Sequence, residues 1–239
     1  MRSTYKTLWS YFLHVIKLNN TVRQLFIRTN KQFIPSLPRF AFEGKIYVVQ
    51  SESEAARAVE VLRRSPILGI DTETRPAFRK GEQHKVALLQ VANEQMCFLF
   101  RLNQMGLPPC VSQLMADEQV VKVGLSLKDD FLMLRRREES FVAKGYIDLQ
   151  PYVKEMGIED MSLLKLYANV FHKRISKSAR LSNWEADVLT EAQKVYAATD
   201  AYTCIQLYKE LKRLKETKDY ELIGAEEPQP AAATTTINE

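Results

Sequence analysis

Residues 67–74 read Ile-Leu-Gly-Ile-Asp-Thr-Glu-Thr, an apolar run of strand length that closes on two carboxylates. A strand this apolar wants cover on both faces, which calls for a layered fold. The acids at its end contradict that setting, because burying charge is costly unless the charge is paired or bound to metal. Positions i and i+2 of a strand share a face, so Asp71 and Glu73 point the same way and could address one ion. An ordinary strand-end turn with both acids in water explains the pair when it is taken alone.

The rest of the pattern supplies the layers. Lys45–Gln50 reads as a strand, and Ser51 with Glu54 forms a capping box ahead of an amphipathic helix reaching Arg64. Val86–Ala92 and Met96–Leu102 read as strands, Cys110–Ala116 as a helix and Val120–Val123 as a strand, followed by a helix through Arg137. Tyr146–Leu149 is short and extended, and helices dominate thereafter. The last runs from about Thr190 to Lys215, with Thr190 and Gln193 as its capping box and an apolar stripe along Val195, Ala198, Tyr202, Ile205 and Leu211. Strands gathered early with helices between and after them predict an α/β fold, a mixed sheet flanked by helices.

Two further segments carry acids in suggestive places. In Lys122–Asp130 a strand ends at Gly124, and Asp129 or Asp130 falls in the first turn of the next helix, where a helix dipole already favours an acid. Tyr196 and Asp200 lie four residues apart, on one helix face. Each feature has a plain structural explanation by itself.

Together they resemble a known pattern. Asp71-Thr72-Glu73, Val123-Gly124 with Asp130 six residues after the glycine, and Tyr196-x-x-x-Asp200 resemble, in order, the three motifs of the DEDD exonucleases. The tyrosine spacing matches the DEDDy branch; the histidine branch would need His where Val195 stands. Lys177-Ser178, Ser182-Asn183-Trp184, Leu189-Thr190, Gln193 and Tyr196 are similar to ribonuclease D, and the second motif resembles the proofreading exonuclease of DNA polymerase I. The resemblance covers about Lys45 to Leu214. It departs at Ser126, where the polymerase-type motif carries Asn.

The resemblance implies a ribonuclease H-like fold and a 3′→5′ exonuclease working on the 3′ end of DNA or RNA with two divalent ions, Mg²⁺ or Mn²⁺. Such ions prefer oxygen ligands, which suits carboxylates, and a pair ~3.5–4 Å apart can activate water and stabilise both phosphorus and leaving oxygen. By resemblance Asp71 bridges both ions, Glu73 and Asp200 complete the first shell, Asp130 holds the second ion, and Tyr196 orients the attacking water. Thr72 is a candidate to offer its backbone N–H to the terminal nucleotide. Phe131 or Trp184 could stack a base, and Lys177 and Arg180 are candidate phosphate contacts. The alternative is a catalytically silent nucleic-acid-binding module on the same scaffold, which predicts loss of at least one acid; every motif position is occupied.

Charge refines the picture. The net +5 of the 239 residues is concentrated in residues 1–42, which hold seven Lys or Arg and no acid, while the remainder is slightly acidic. Three readings of this arm stand: a nucleic-acid-binding extension, a targeting peptide, or a stretch outside the fold. The expected organisation is therefore a basic arm at 1–42, an exonuclease domain at 43–220 and a disordered tail at 221–239, with neither a helicase nor a helical accessory domain attached. Cys97, Cys110 and Cys204 are odd in number and widely spaced, and His14, His84 and His172 are scattered. No disulfide framework or zinc site is suggested, and an intracellular, cytoplasmic setting is the simpler expectation. No apolar run approaches the ~20 residues of a membrane span. Protein partners are not legible.

Overall fold

The computed structural model describes residues 22–224. Six strands form the main sheet: β2 (Lys45–Val49), β3 (Ile67–Glu73), β4 (Leu88–Ala92), β5 (Met96–Phe100), β6 (Val121–Gly124) and β7 (Tyr146–Asp148). Their spatial order is β2-β5-β4-β3-β6-β7. The β4 strand is antiparallel to both β3 and β5, and the other neighbours are parallel. The sheet is mixed and covered by helices on both faces, so the α/β expectation holds.

One face is covered by α1 (Glu52–Leu62), α3 (Pro109–Ala116) and α4 (Leu127–Arg137), joined by the short α2 (Leu102–Met105). Leu68 and Ile70 of β3 point into this layer, with Leu62, Leu114 and Phe131. The other face carries α5 (Leu149–Glu155), α6 (Leu163–Phe171) and the long α7 (Glu191–Thr217). Alternation along β3 turns Gly69, Asp71 and Glu73 toward α7. At Gly69 the backbone comes so close that a Cβ would stand 1.9 Å from the carbonyl oxygen of Ala201. Glycine here is a packing requirement. Both expected capping boxes form, Ser51 with Glu54 and Thr190 with Gln193.

Three boundaries differ from expectation, and the first is the strand expected over Val86–Ala92, which begins only at Leu88. Met96–Leu102 was expected to be one strand, but β5 stops at Phe100 and Leu102 starts a helical turn. Residues 22–42 do not lie outside the fold. Within them β1 (Arg23–Phe26) pairs in parallel with β8 (Tyr220–Ile223), the two forming a separate small sheet. Ile34 and Leu37 pack on Ala168, and Phe42 is buried beside Tyr202. The basic character of the arm had hidden these apolar anchors. The strand β8 also takes up the first residues expected in the tail. The remaining parts of the arm and tail, 1–21 and 225–239, lie outside the described residues. No helix among the described residues is long and apolar enough to cross a membrane.

Candidate active site

The acids come from three elements. Asp71 and Glu73 sit at the end of β3, Asp200 projects from α7, and Asp130 lies in the first turn of α4. Oxygens of Asp71, Glu73 and Asp200 lie within 4.8 Å of one another. Glu73 and Asp200 are buried and Asp71 is half-buried. None of the four acids forms an ion pair among the described residues.

Asp130 reaches the cluster from the opposite face of the sheet. Thr72 points to that face, and its hydroxyl donates to Asp130 Oδ1. Asp130 is not one of the three converging oxygens but stands within electrostatic reach of Asp71 and Glu73. Its neighbour Asp129 is exposed and accepts from the Ser126 hydroxyl at 3.0 Å, so the adjacent acids are sorted by position. Ser126 itself adopts φ 66°, in the left-handed region that Asn tolerates better than Ser.

Crowding sets the electrostatics. Burial raises the Asp71 carboxyl well above its usual value, and the charges of Asp130, Glu73 and Asp200 add to the effect. Burial, then Asp200 and Asp130, push Glu73 up to about 9, with Arg180 opposing. Burial lifts Asp200 to about 7 against the hydrogen bond from Tyr196 and the charge of Lys177. Burial lifts Asp130 to about 6 against the Thr72 hydroxyl. Without a cation the cluster holds protons it would otherwise lose. Asp200 Oδ1 is buried with no hydrogen-bond partner. An orphaned carboxylate oxygen beside two more carboxylates is a donor set suited to a hard divalent cation.

Tyr196 is buried against Trp184, with ring centroids 5.9 Å apart. Burial, followed by the charges of Asp200 and Glu73, drives its phenol far above the usual range. It stays protonated at neutral pH and can donate but not abstract a proton.

A model of the 3′-5′ exonuclease family matches residues 46–216, the stretch that contains every one of these groups. The chain belongs to the 3′-5′ exonuclease family. Among family relatives, it is 31% identical to a 3′-5′ exonuclease of Arabidopsis thaliana, over 76% of this chain and 68% of that protein. It is 30% identical to the bifunctional 3′-5′ exonuclease/ATP-dependent helicase WRN of Mus musculus, over 85% of this chain but only 15% of that protein. The chain thus spans a small part of the mouse relative. Escherichia coli RNase D shares the fold with a TM-score of 0.65 at 18% identity, over 72% of this chain and 46% of that one.

Several expectations for the exonuclease family site need correction. Phe131 and Trp184 are not placed to stack a base. Phe131 is buried in the core with Phe141, its ring edge-on to the exposed Tyr146, and Trp184 is fully enclosed behind Tyr196. The Thr72 N–H is occupied too, donating to Asp71 Oδ1 at 2.9 Å. Lys177 and Arg180 are exposed at the rim, within electrostatic reach of Asp200 and Glu73 respectively. The sequence reading missed the Thr72 hydroxyl and Gln90. Gln90 lies directly across from Asp71 in the β3–β4 register and shares its face. It is fully buried, and neither amide atom has a partner. The available signal was a lone polar residue within the apolar run Val86–Ala92.

Proposed function

We propose that this chain hydrolyses nucleic acid from the 3′ end as a metal-dependent exonuclease, using Asp71, Glu73, Asp130 and Asp200 to hold two divalent ions, Mg²⁺ or Mn²⁺. The observation that carries the reading is the meeting of three unpaired, mostly buried carboxylates on a protein of the exonuclease family. Oxygen-only donors favour Mg²⁺ or Mn²⁺ over softer metals. Such ions, when bound, supply a water of lowered pKa and charge stabilisation at phosphorus.

The remaining work falls to the protein. Asp71, within electrostatic reach of Glu73, Asp130 and Asp200, would ligate the ions together with them. Glu73 and Asp200 would ligate beside it, and the bare Asp200 Oδ1 is free to do so. Thr72 holds Asp130 through its hydroxyl and so would steady this acid as a ligand of the second ion. Tyr196, kept neutral by burial and neighbouring acids, orients the attacking water by hydrogen bonding. The substrate is a polynucleotide with a free 3′ end; the named activities of the relatives support this choice.

The test is degradation of 5′-labelled DNA and RNA oligonucleotides with Mg²⁺, with Mn²⁺ and with a chelator. A ladder shortening from the 3′ end is expected, abolished by chelation and by Asp71→Ala. Full activity in Asp71→Ala would refute the assignment. Tyr196→Phe should lower kcat about 100-fold, the low end of the range for a positioned proton-handling group, with an unchanged metal midpoint.

A further inference from the structure

The family match begins at residue 46, yet the preceding segment is built into the domain. Phe40 N donates to the Arg174 carbonyl at 2.8 Å, and Arg174 N donates to the Pro38 carbonyl at 2.9 Å. Phe42 N donates to Thr199 Oγ1 at 3.0 Å, on the helix that carries Tyr196 and Asp200. With the buried Ile34 and Leu37, these contacts make residues 34–42 a fixed wall.

That wall closes one side of a small recess lined by Arg39, Ala41, Ser176, Ser178, Tyr196 and Thr199. Tyr196 lines the recess and also stands beside Asp200 and Glu73, so its side chain links the recess to the acid cluster. Arg39 is the one cation in this lining, and three more stand within electrostatic reach of one another or of the acids. Lys31 and Arg180 both act on Lys177, which in turn acts on Asp200. Lys31, Arg39, Lys177 and Arg180 are all exposed, and none has an ion-pair partner among the described residues. Exposed cations without an ion pair also occur elsewhere, as at Lys128 and Lys154, and what sets these four apart is their place beside the recess and the acids. Uncompensated like charges beside a cluster of acids suit a polyanion that threads between them. Ser176 and Ser178 share a hydrogen bond at 2.9 Å, which leaves one of the two hydroxyls to donate to a phosphate oxygen.

We propose that the segment 31–41 is an outer extension of the substrate site, in which Lys31 and Arg39, together with Lys177 and Arg180, grip backbone phosphates on the 5′ side of the bond to be cleaved. The proposal rests on the exonuclease reading and adds a surface outside the matched domain. It makes activity depend on substrate length. The proposal predicts that a dinucleotide ends short of Lys31 and Arg39, whereas a 12-mer crosses them.

The experiment compares kcat/KM for a dinucleotide and a 12-mer with the same 3′ end, in wild type and in Lys31→Ala/Arg39→Ala. The ratio of 12-mer to dinucleotide activity should fall about tenfold in the double variant, through KM. The log–log salt dependence of 12-mer binding should become shallower by about 1.4, the slope carried by two phosphate contacts on a single strand. Arg28→Ala, at an exposed but ion-paired cation, should leave the ratio unchanged. An unchanged ratio and salt slope in the double variant would overturn the proposal, as would an equal loss on both substrates. If wild type cleaves neither substrate, the exonuclease reading itself fails. Binding of the labelled 12-mer by fluorescence anisotropy then decides the surface: tenfold weakening in the double variant supports it and equal affinity removes it.

Discussion

Arg101 and Lys122 are as deeply buried as Glu73 and Asp200, but the two sets are treated in opposite ways. The Arg101 guanidinium donates to the carbonyls of Ala186 and Asp187 and to Asn103 Oδ1. The Lys122 ammonium donates to the Asp117 carbonyl. These cations are dispersed and satisfied by backbone, and they tie loops to the sheet. The acids are gathered, face one another, and leave an oxygen bare. Charge buried with its partners is architecture; charge buried without them is a binding capacity waiting for a counter-charge.

The contrast can be broken most forcefully at Asp71. Asp71→Asn should lower kcat/KM by about three decades, which is about 4 kcal/mol of transition-state stabilisation. It should also raise the melting temperature in chelator, because folding no longer has to protonate or bury this carboxyl. Oligonucleotide hydrolysis and a thermal melt check the two halves. Arg101→Met should do the reverse. Stripping the Ala186 and Asp187 carbonyls of their donor should cost about 3 kcal/mol of stability in urea denaturation, while the metal midpoint of the folded fraction stays put.

The pH dependence sharpens the same distinction. Glu73 is raised to about 9, Asp200 to about 7 and Asp130 to about 6 in the folded protein. The folded state therefore binds more protons than the unfolded one across this window. The neutral acids favour folding fully below the ordinary carboxylate range, and that contribution is lost as pH rises through these values. Melts in chelator should show stability declining from about pH 4 to about pH 9. Saturating Mg²⁺ should flatten the slope, and Glu73→Gln should remove its upper part. A metal-free stability that climbs over this range would contradict the acid assignment. The smallest effect is expected at Gln90. Replacing its unsatisfied amide with Leu should raise stability by about 1 kcal/mol, read as a shift in urea midpoint.

Much of this site is written locally, and the remainder is not. The end of β3 announces its acids because strand alternation puts Asp71 and Glu73 on one face whatever surrounds them. The last helix is equally plain, its start marked by Thr190 and Gln193 and one of its faces by Tyr196 and Asp200. What stays hidden depends on long-range contacts. The β1–β8 pair joins segments almost two hundred residues apart, and both strands are short and mixed in polarity. Burial is likewise a property of the assembled molecule. Nothing near Phe131 or Trp184 distinguishes a core aromatic from one presented to a base. The link from Thr72 to Asp130 needs both faces of the sheet to be in place.

The missing side chain at residue 69 acts as a gauge. Because Gly69 lets the Ala201 carbonyl descend onto β3, the neighbouring Asp200 arrives within ligand range of its partners. A single methyl there would act as a shim, prising helix from strand. The calibre of the acidic cage is thus machined into the backbone, at a residue that never touches its contents.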